Sequence, residues 1–153
     1  QFLDDHLIAI ENNPDFFGYQ VIVDENDLIL EEESRLLISS LDVDIQTVEK
    51  EVHRLGGLFI PAHIDRPHNG ILRQLGFIPP NLKCDAFGLS VNANPNEWLN
   101  SNKLPTNGTI VRNSDAHSPE QLGSVFSTFK MKNISFDEVR KALLKIDGRE
   151  VLI

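Results

Sequence analysis

A single cysteine, Cys84, excludes an internal disulfide. That suits a reducing, cytoplasmic setting. Cys84 lies in Asn81-Leu82-Lys83-Cys84-Asp85, just ahead of an apolar run, and reads as a small hydrophobe rather than a nucleophile. No apolar run is long enough to span a bilayer. The first residues, Gln1 to Asp5, are acidic and lack the basic flank of a secretory signal. The chain does not begin with Met, as expected of a processed or trimmed piece. Basic residues are scarce: 14 Lys and Arg against 23 Asp and Glu give a formal net charge of −9. That argues against non-specific attraction to polyanions, which rests on clustered cations. A phosphate-handling site in such a chain needs metal cations or a local arginine. There is no Gly-rich phosphate loop and no Gly-X-Ser-X-Gly elbow. Ser118 directly follows His117, a spacing that does not suit a Ser–His relay.

What is present is enough for one domain. The chain has 153 residues, 41% of them hydrophobic, which supports one real core and too little for two ordinary ones. Short β-like runs alternate with helical stretches, without repeats or low-complexity segments. Phe2 to Glu11 reads as the end of a helix stopped at Asn12-Asn13-Pro14. Gln20 to Val23 and Leu28 to Leu30 flank a polar turn and read as a strand pair. A short helix is expected over Glu31 to Ser40. A better one spans Asp44 to Leu55, where Ile45, Val48, Val52 and Leu55 recur at helical spacing before Gly56-Gly57.

Leu58-Phe59-Ile60 reads as a buried strand delivering Pro61-Ala62-His63 at its end. A helical piece covers Ile71 to Leu75, and a strand covers Ala86 to Val91. Asn94-Pro95 starts a helix through Trp98, and the indole reads as a packing residue. Thr109 to Arg112 is a strand ending in Asn113-Ser114-Asp115-Ala116-His117. Ser118-Pro119-Glu120 opens a short helix, and Ser124 to Phe129 is a strand. Ser135 and Glu138 form a capping box before the helix Val139 to Ile146, which Gly148 ends ahead of a last strand, Val151 to Ile153. Alternating strands and helices predict parallel βαβ units, whose function gathers past the C-terminal ends of strands. His63, Asp115 and His117 fall at such ends.

Asp115-Ala116-His117 is the most informative tripeptide. In extended chain, residues two apart point the same way, so a carboxylate and an imidazole converge. That donor set suits Zn²⁺, Mn²⁺ or Fe²⁺. The bland alternative is a helix-capping Asp115 beside a surface His117. His63, alone, is equally a satisfied strand-end histidine; beside the Asp-X-His pair it becomes a candidate third ligand, leaving room for water and substrate. Arg66 offers a planar fork that matches a phosphate oxygen pair. Asp65 is a candidate supporting partner or one half of a surface pair with Arg66. His68 reads as a loop residue, His6 and His53 as structural or solvent-facing. Asn113 and Ser114 are expected to brace the turn by side-chain to backbone bonds.

At these residues the chain resembles the PHP family, the polymerase and histidinol phosphatase phosphoesterases. Gly56-Gly57-Leu58-Phe59-Ile60-Pro61-Ala62-His63-Ile64-Asp65-Arg66-Pro67 looks like that family's third motif, in which a strand-end His binds metal. Asn113-Ser114-Asp115-Ala116-His117 looks like its fourth, in which both Asp and His are ligands. Gly18-Tyr19-Gln20-Val21-Ile22-Val23-Asp24 and Leu75-Gly76-Phe77-Ile78-Pro79 look like one branch of the family. The family's opening His-X-His motif has no match in these residues. The resemblance thus implies one incomplete domain over residues 1–153, the later strands of a distorted (β/α)7-type barrel with mostly parallel strands. It implies a hydrolase that uses divalent metal ions, with His63, Asp115 and His117 as ligands; Arg66, by its fork, is the candidate catalytic phosphate contact. The expected substrate is a small phosphorylated molecule, without membrane and without nucleic acid. Three consequences of the missing motif stay open: an inactive fragment, oligomerisation through exposed sheet edges, or dependence on the missing half. The rival function is a non-catalytic binding or scaffolding module that keeps the fold. A proofreading-type nuclease is a third reading, opposed by the negative charge.

Overall fold

A computed structural model describes residues 1–102, 104 and 108–153. They divide into two compact units, Gln1–Val48 and Glu49–Ile153.

The first unit holds two short helices, α1 (Phe2–His6) and α2 (Pro14–Phe17), and an antiparallel pair, β1 (Val21–Val23) with β2 (Ile29–Glu32). The strand pair was expected. The helix read through Glu11 stops at His6, because Leu7 and Glu11 are taken into bridges with Leu41 and Arg35. Asn12-Asn13-Pro14 also starts a helix: Asn13 accepts the Asp15 N–H at 3.1 Å, and Pro14 needs no donor in the first turn. The helix expected over Glu31 to Ser40 does not form. Glu31 and Glu32 join β2, and the Gln20 side chain donates to the carbonyls of Glu33 and Arg35 while accepting the Leu37 N–H. Those bonds satisfy in extended form the backbone groups a helix would have used. No residue of this unit is buried.

Helix α3 (Ile45–Arg54) begins in the first unit and ends in the second. Asp44 caps it, accepting the Thr47 N–H at 2.7 Å. Gly56, at φ 76°, ends it in the left-handed conformation that glycine adopts without cost. In the second unit follow α4 (Ile71–Leu75), β3 (Phe87–Leu89), α5 (Pro95–Ser101), β4 (Ile110–Arg112), a 3₁₀ turn at Pro119–Gln121, β5 (Thr128–Lys130), α6 (Phe136–Leu143) and β6 (Glu150–Leu152). The core is built from Ala86, Val111 and Leu143, with Leu58, Phe129, Val139 and Val151 packed against them. Ile64 and Phe87 are the largest fully buried side chains.

Strands β3 and β4 pair in parallel, β5 and β6 antiparallel. Among the described residues only one of three strand pairs is parallel, so the mostly parallel sheet expected from the βαβ rhythm is corrected to a mixed α/β fold of two-stranded sheets. Leu58 to Ile60 is not a strand of its own. The segment nonetheless runs along β3 through Asp85 N–H to Phe59 carbonyl, Gly88 N–H to Pro61 carbonyl and Ile64 N–H to Gly88 carbonyl bonds, each 2.9 Å. The capping box before α6 is half-made. Ser135 accepts the Glu138 N–H, but the Glu138 carboxylate turns to Arg149 and to the Lys132 N–H.

Candidate functional site

Because β3 and β4 are parallel, their C-terminal ends lie at one edge, with the segment 58–64 alongside β3. The chain leaves that edge at His63, Ser90 and Asn113, which is where such folds gather function. His63, Asn113 and Asp115 line one cavity of about 240 Å³, floored by Gly88, Leu89 and Val111. Asp115 also lines a second cavity of about 220 Å³ with His117, Arg66, Ser114 and Gln121. Asp115 is therefore common to the two histidines, and His117 is not among the residues around the first cavity. Among the described residues no group of three His, Cys, Asp or Glu side chains is close enough to hold an ion outright.

Both candidate ligands that share the first cavity are backbone outliers. His63 has φ 31° and Asp115 φ 49°. A non-glycine residue in the left-handed region costs about 1–3 kcal/mol, and such strain clusters at sites that need a side chain aimed. His63 Nδ1 is buried without a hydrogen-bond partner. A buried polar atom left unmade is costly, so a ring nitrogen in that position fits a donor to an ion. His117 tells its own tautomer. Its Nδ1 lies 2.7 Å from the Asp115 carbonyl oxygen, which only accepts, so Nδ1 carries hydrogen and the lone pair of the neutral ring sits on Nε2. That second-partner arrangement is how metal-binding imidazoles are oriented. Gln121 Oε1 accepts the His117 N–H at 2.7 Å and fixes the turn. Nitrogen and carboxylate donors of this kind are chemically suited to a divalent ion.

Arg66 Nη1 stands 3.0 Å from Asp115 Oδ2, with both side chains about two-fifths exposed. The pair is a matter of placement more than stability, since exposed ion pairs contribute about 0–1 kcal/mol. Arg66 lies between two spaces: the cavity of His117 and an open groove of about 560 Å³ that it lines with Asp65, His68, Asn92 and Trp98. Asp65 makes no pair with Arg66; both its oxygens are taken by Ser90. Trp98, half-buried, faces the groove. The bracing expected from Asn113 and Ser114 comes instead from Ser127, whose hydroxyl accepts the Arg112 N–H at 2.7 Å and donates to the Arg112 carbonyl at 2.9 Å. Arg112 Nη2 in turn reaches the Val91 carbonyl at 2.8 Å, tying the end of β4 to the loop after β3. Ser90 and Ser127 carried no signal in the sequence; each is a lone serine whose partner lies far along the chain.

Cys84 is half-buried, and burial with the charges of Glu49 and Asp85 pushes its thiol up to about 12. It is no thiolate at neutral pH. His53 is neither isolated nor solvent-facing. Its Nε2 meets Asp85 Oδ2 at 2.9 Å and its Nδ1 meets the buried Glu49 carboxylate at 2.5 Å.

A family model described as PHP-associated matches residues 96–146, and the resemblance read from the motifs is shown over that stretch. The chain is 31% identical over 113 residues to "Uncharacterized protein YqxK" of Bacillus subtilis (strain 168), a match covering 69% of this chain and 28% of that protein. Two solved structures share the fold. One is the novel lesion-specific endonuclease PfuEndoQ from Pyrococcus furiosus, with TM-score 0.60, 24% identity, and coverage of 74% of this chain and 29% of that one. The other is an Endonuclease Q complex with a 27-mer duplex substrate bearing an abasic lesion at the active site, with TM-score 0.51, 24% identity and coverage of 72% and 29%. The chain thus spans under a third of the length of these relatives.

These neighbours overturn the expectation of a small phosphorylated substrate without nucleic acid. The physical reason lies in how charge was summed. Residues 1–48 hold twelve acidic residues against one basic, while residues 49–153 hold eleven against thirteen. The unit that carries the candidate site is mildly cationic, and the total of −9 hid it.

Proposed function

We propose that this chain is the later part of a PHP-type, metal-dependent hydrolase that cleaves phosphoester bonds in nucleic acid. In this reading residues 1–153 form one incomplete domain, the end of a distorted β/α barrel, in a cytoplasmic protein. The observation that carries the reading is the cavity beside the parallel pair that His63 and Asp115, both at positive φ, line together, with His63 Nδ1 buried unpartnered. His63, Asp115 and His117, through Nε2, would hold a divalent ion, Zn²⁺, Mn²⁺ or Fe²⁺, together with donors from the rest of the protein. Such an ion supplies Lewis acidity and neutralises phosphate charge. Arg66 binds and orients a phosphate oxygen from between groove and cavity. The endonuclease neighbours and the cationic unit favour a polynucleotide.

The test is metal analysis of the full-length protein, followed by nicking of a duplex carrying an abasic site. We expect bound metal and metal-dependent cleavage, reduced about 100-fold or more in His63→Gln and Asp115→Asn. A full-length protein that neither retains metal nor nicks the duplex would sink the reading. That result would favour a scaffolding module, which the lack of a three-ligand group among the described residues also fits.

A further inference from the structure

We propose that Asp65 is a positioning residue that holds His63 in its strained conformation by gripping Ser90. This deepens the reading above and rests on His63 being a ligand. The grip is two-pronged. Asp65 Oδ1 accepts the Ser90 N–H at 2.7 Å, and Asp65 Oδ2 accepts the Ser90 hydroxyl at 2.5 Å. Ser90 is buried and follows directly on β3. Its two donors have no water to fall back on, so Asp65 is the group that satisfies them.

The position of that grip along the chain gives it its effect. Ahead of His63, Gly88 N–H binds the Pro61 carbonyl; just after it, Ile64 N–H binds the Gly88 carbonyl. These two bonds seat the segment on β3 but leave the turn itself free to relax. Arg66 N–H closes that turn onto the His63 carbonyl at 3.0 Å. Asp65, inside the turn, then clamps it to the far end of β3. A histidine at φ 31° keeps that conformation only where its surroundings over-determine it, and the Asp65–Ser90 clamp completes the set. Ser90 borders all three spaces of the site, so the clamp stands where they come together.

The competing role for Asp65 is that of a ligand, and substitution tells the two apart. In Asp65→Asn the amide oxygen accepts the Ser90 N–H and the amide nitrogen donates to the Ser90 hydroxyl, so the clamp survives while the charge is lost. Asp65→Ala loses both prongs. Ser90→Ala loses one and keeps the N–H prong, and it serves where Asp65→Ala fails to fold. The experiment is Mn²⁺ titration of the full-length protein by calorimetry, paired with the imidazole resonances of His63 in metal-free protein, assigned through His63→Gln. Asp65→Ala is expected to weaken Mn²⁺ binding about tenfold and to move the His63 resonances. Ser90→Ala should do both less, and Asp65→Asn should stay within about twofold of wild type.

Equal losses in Asp65→Asn and Asp65→Ala would make Asp65 a ligand and overturn the proposal. Unmoved His63 resonances in Asp65→Ala would overturn it as well. A wild-type protein that ignores Mn²⁺ removes the functional reading, while the resonances still decide whether Asp65 positions His63.

Discussion

His53 shows how much one side chain can carry outside the candidate site. A neutral imidazole has one N–H, yet both of its nitrogens face carboxylates, Glu49 and Asp85. Only the imidazolium satisfies both, and the Asp85 hydrogen bond, with that of Glu49, raises the ring's pKa above its ordinary 6.5. Cys84 stands near the same carboxylates as a neutral thiol. The folded pKa is raised, so the stabilisation is full below about 6.5 and is lost as pH climbs through the folded value. Denaturation midpoints should therefore fall from pH 6.5 upward in wild type, and His53→Gln should flatten that limb. An unchanged slope in the variant would refute it. Glu138 has the opposite sign. Its bidentate contact with Arg149 holds its carboxyl down at about 2, so the contribution is complete above about 4.5 and disappears as pH falls toward 2. Glu138→Gln should lower the midpoint at neutral pH and remove the acid limb in that window.

At the scale of elements, the consequential contact is between β3 and the segment 58–64. A β-carbon on Gly88 would stand 3.2 Å from Ala62 Cα, His63 N and the Pro61 carbonyl oxygen, all of them backbone. Backbone cannot swing aside, so Gly88→Ala should destabilise by about 1–3 kcal/mol. It should also weaken metal retention by the full-length protein, since the displaced atoms include His63 itself. Chemical denaturation and metal analysis check the two effects separately. Much at this scale was legible in the sequence. The apolar spacing of Ile45, Val48 and Val52 gave α3, and Asn94-Pro95 gave the start of α5; the motifs around His63 and Asp115 lie far apart in sequence and border one cavity in the fold. What was not legible depends on pairing between distant residues. Acidic Glu31 and Glu32 favour a helical first turn until Val21 and Ile22 offer them a ladder. Leu58 to Ile60 has the composition of a strand, yet its bonds to the β3 region stop short of a regular ladder. Asp65 read equally as a supporting partner or as one half of a surface pair with Arg66, and only the fold brings it Ser90.

For the whole molecule, composition misled where it was averaged. The formal charge argued against nucleic acid, but charge acts over roughly a Debye length, about 8 Å at physiological ionic strength, so the unit around the site matters more than the total. If residues 49–153 meet a duplex, its affinity should fall with added salt by a shallow slope, because few cations are available to neutralise phosphates. Fluorescence anisotropy of a labelled duplex from 50 to 200 mM salt measures that slope, with the salt range chosen as an approximate span over which such binding responds. A slope as steep as that of a heavily basic DNA-binding protein would contradict it. The uneven charge has a further consequence. With twelve carboxylates and one basic residue, the unit of residues 1–48 would repel a polyanion rather than hold it. Crosslinks from a bound strand should fall on residues 49–153 and skip the hairpin of β1 and β2, however apolar and accessible its side chains are.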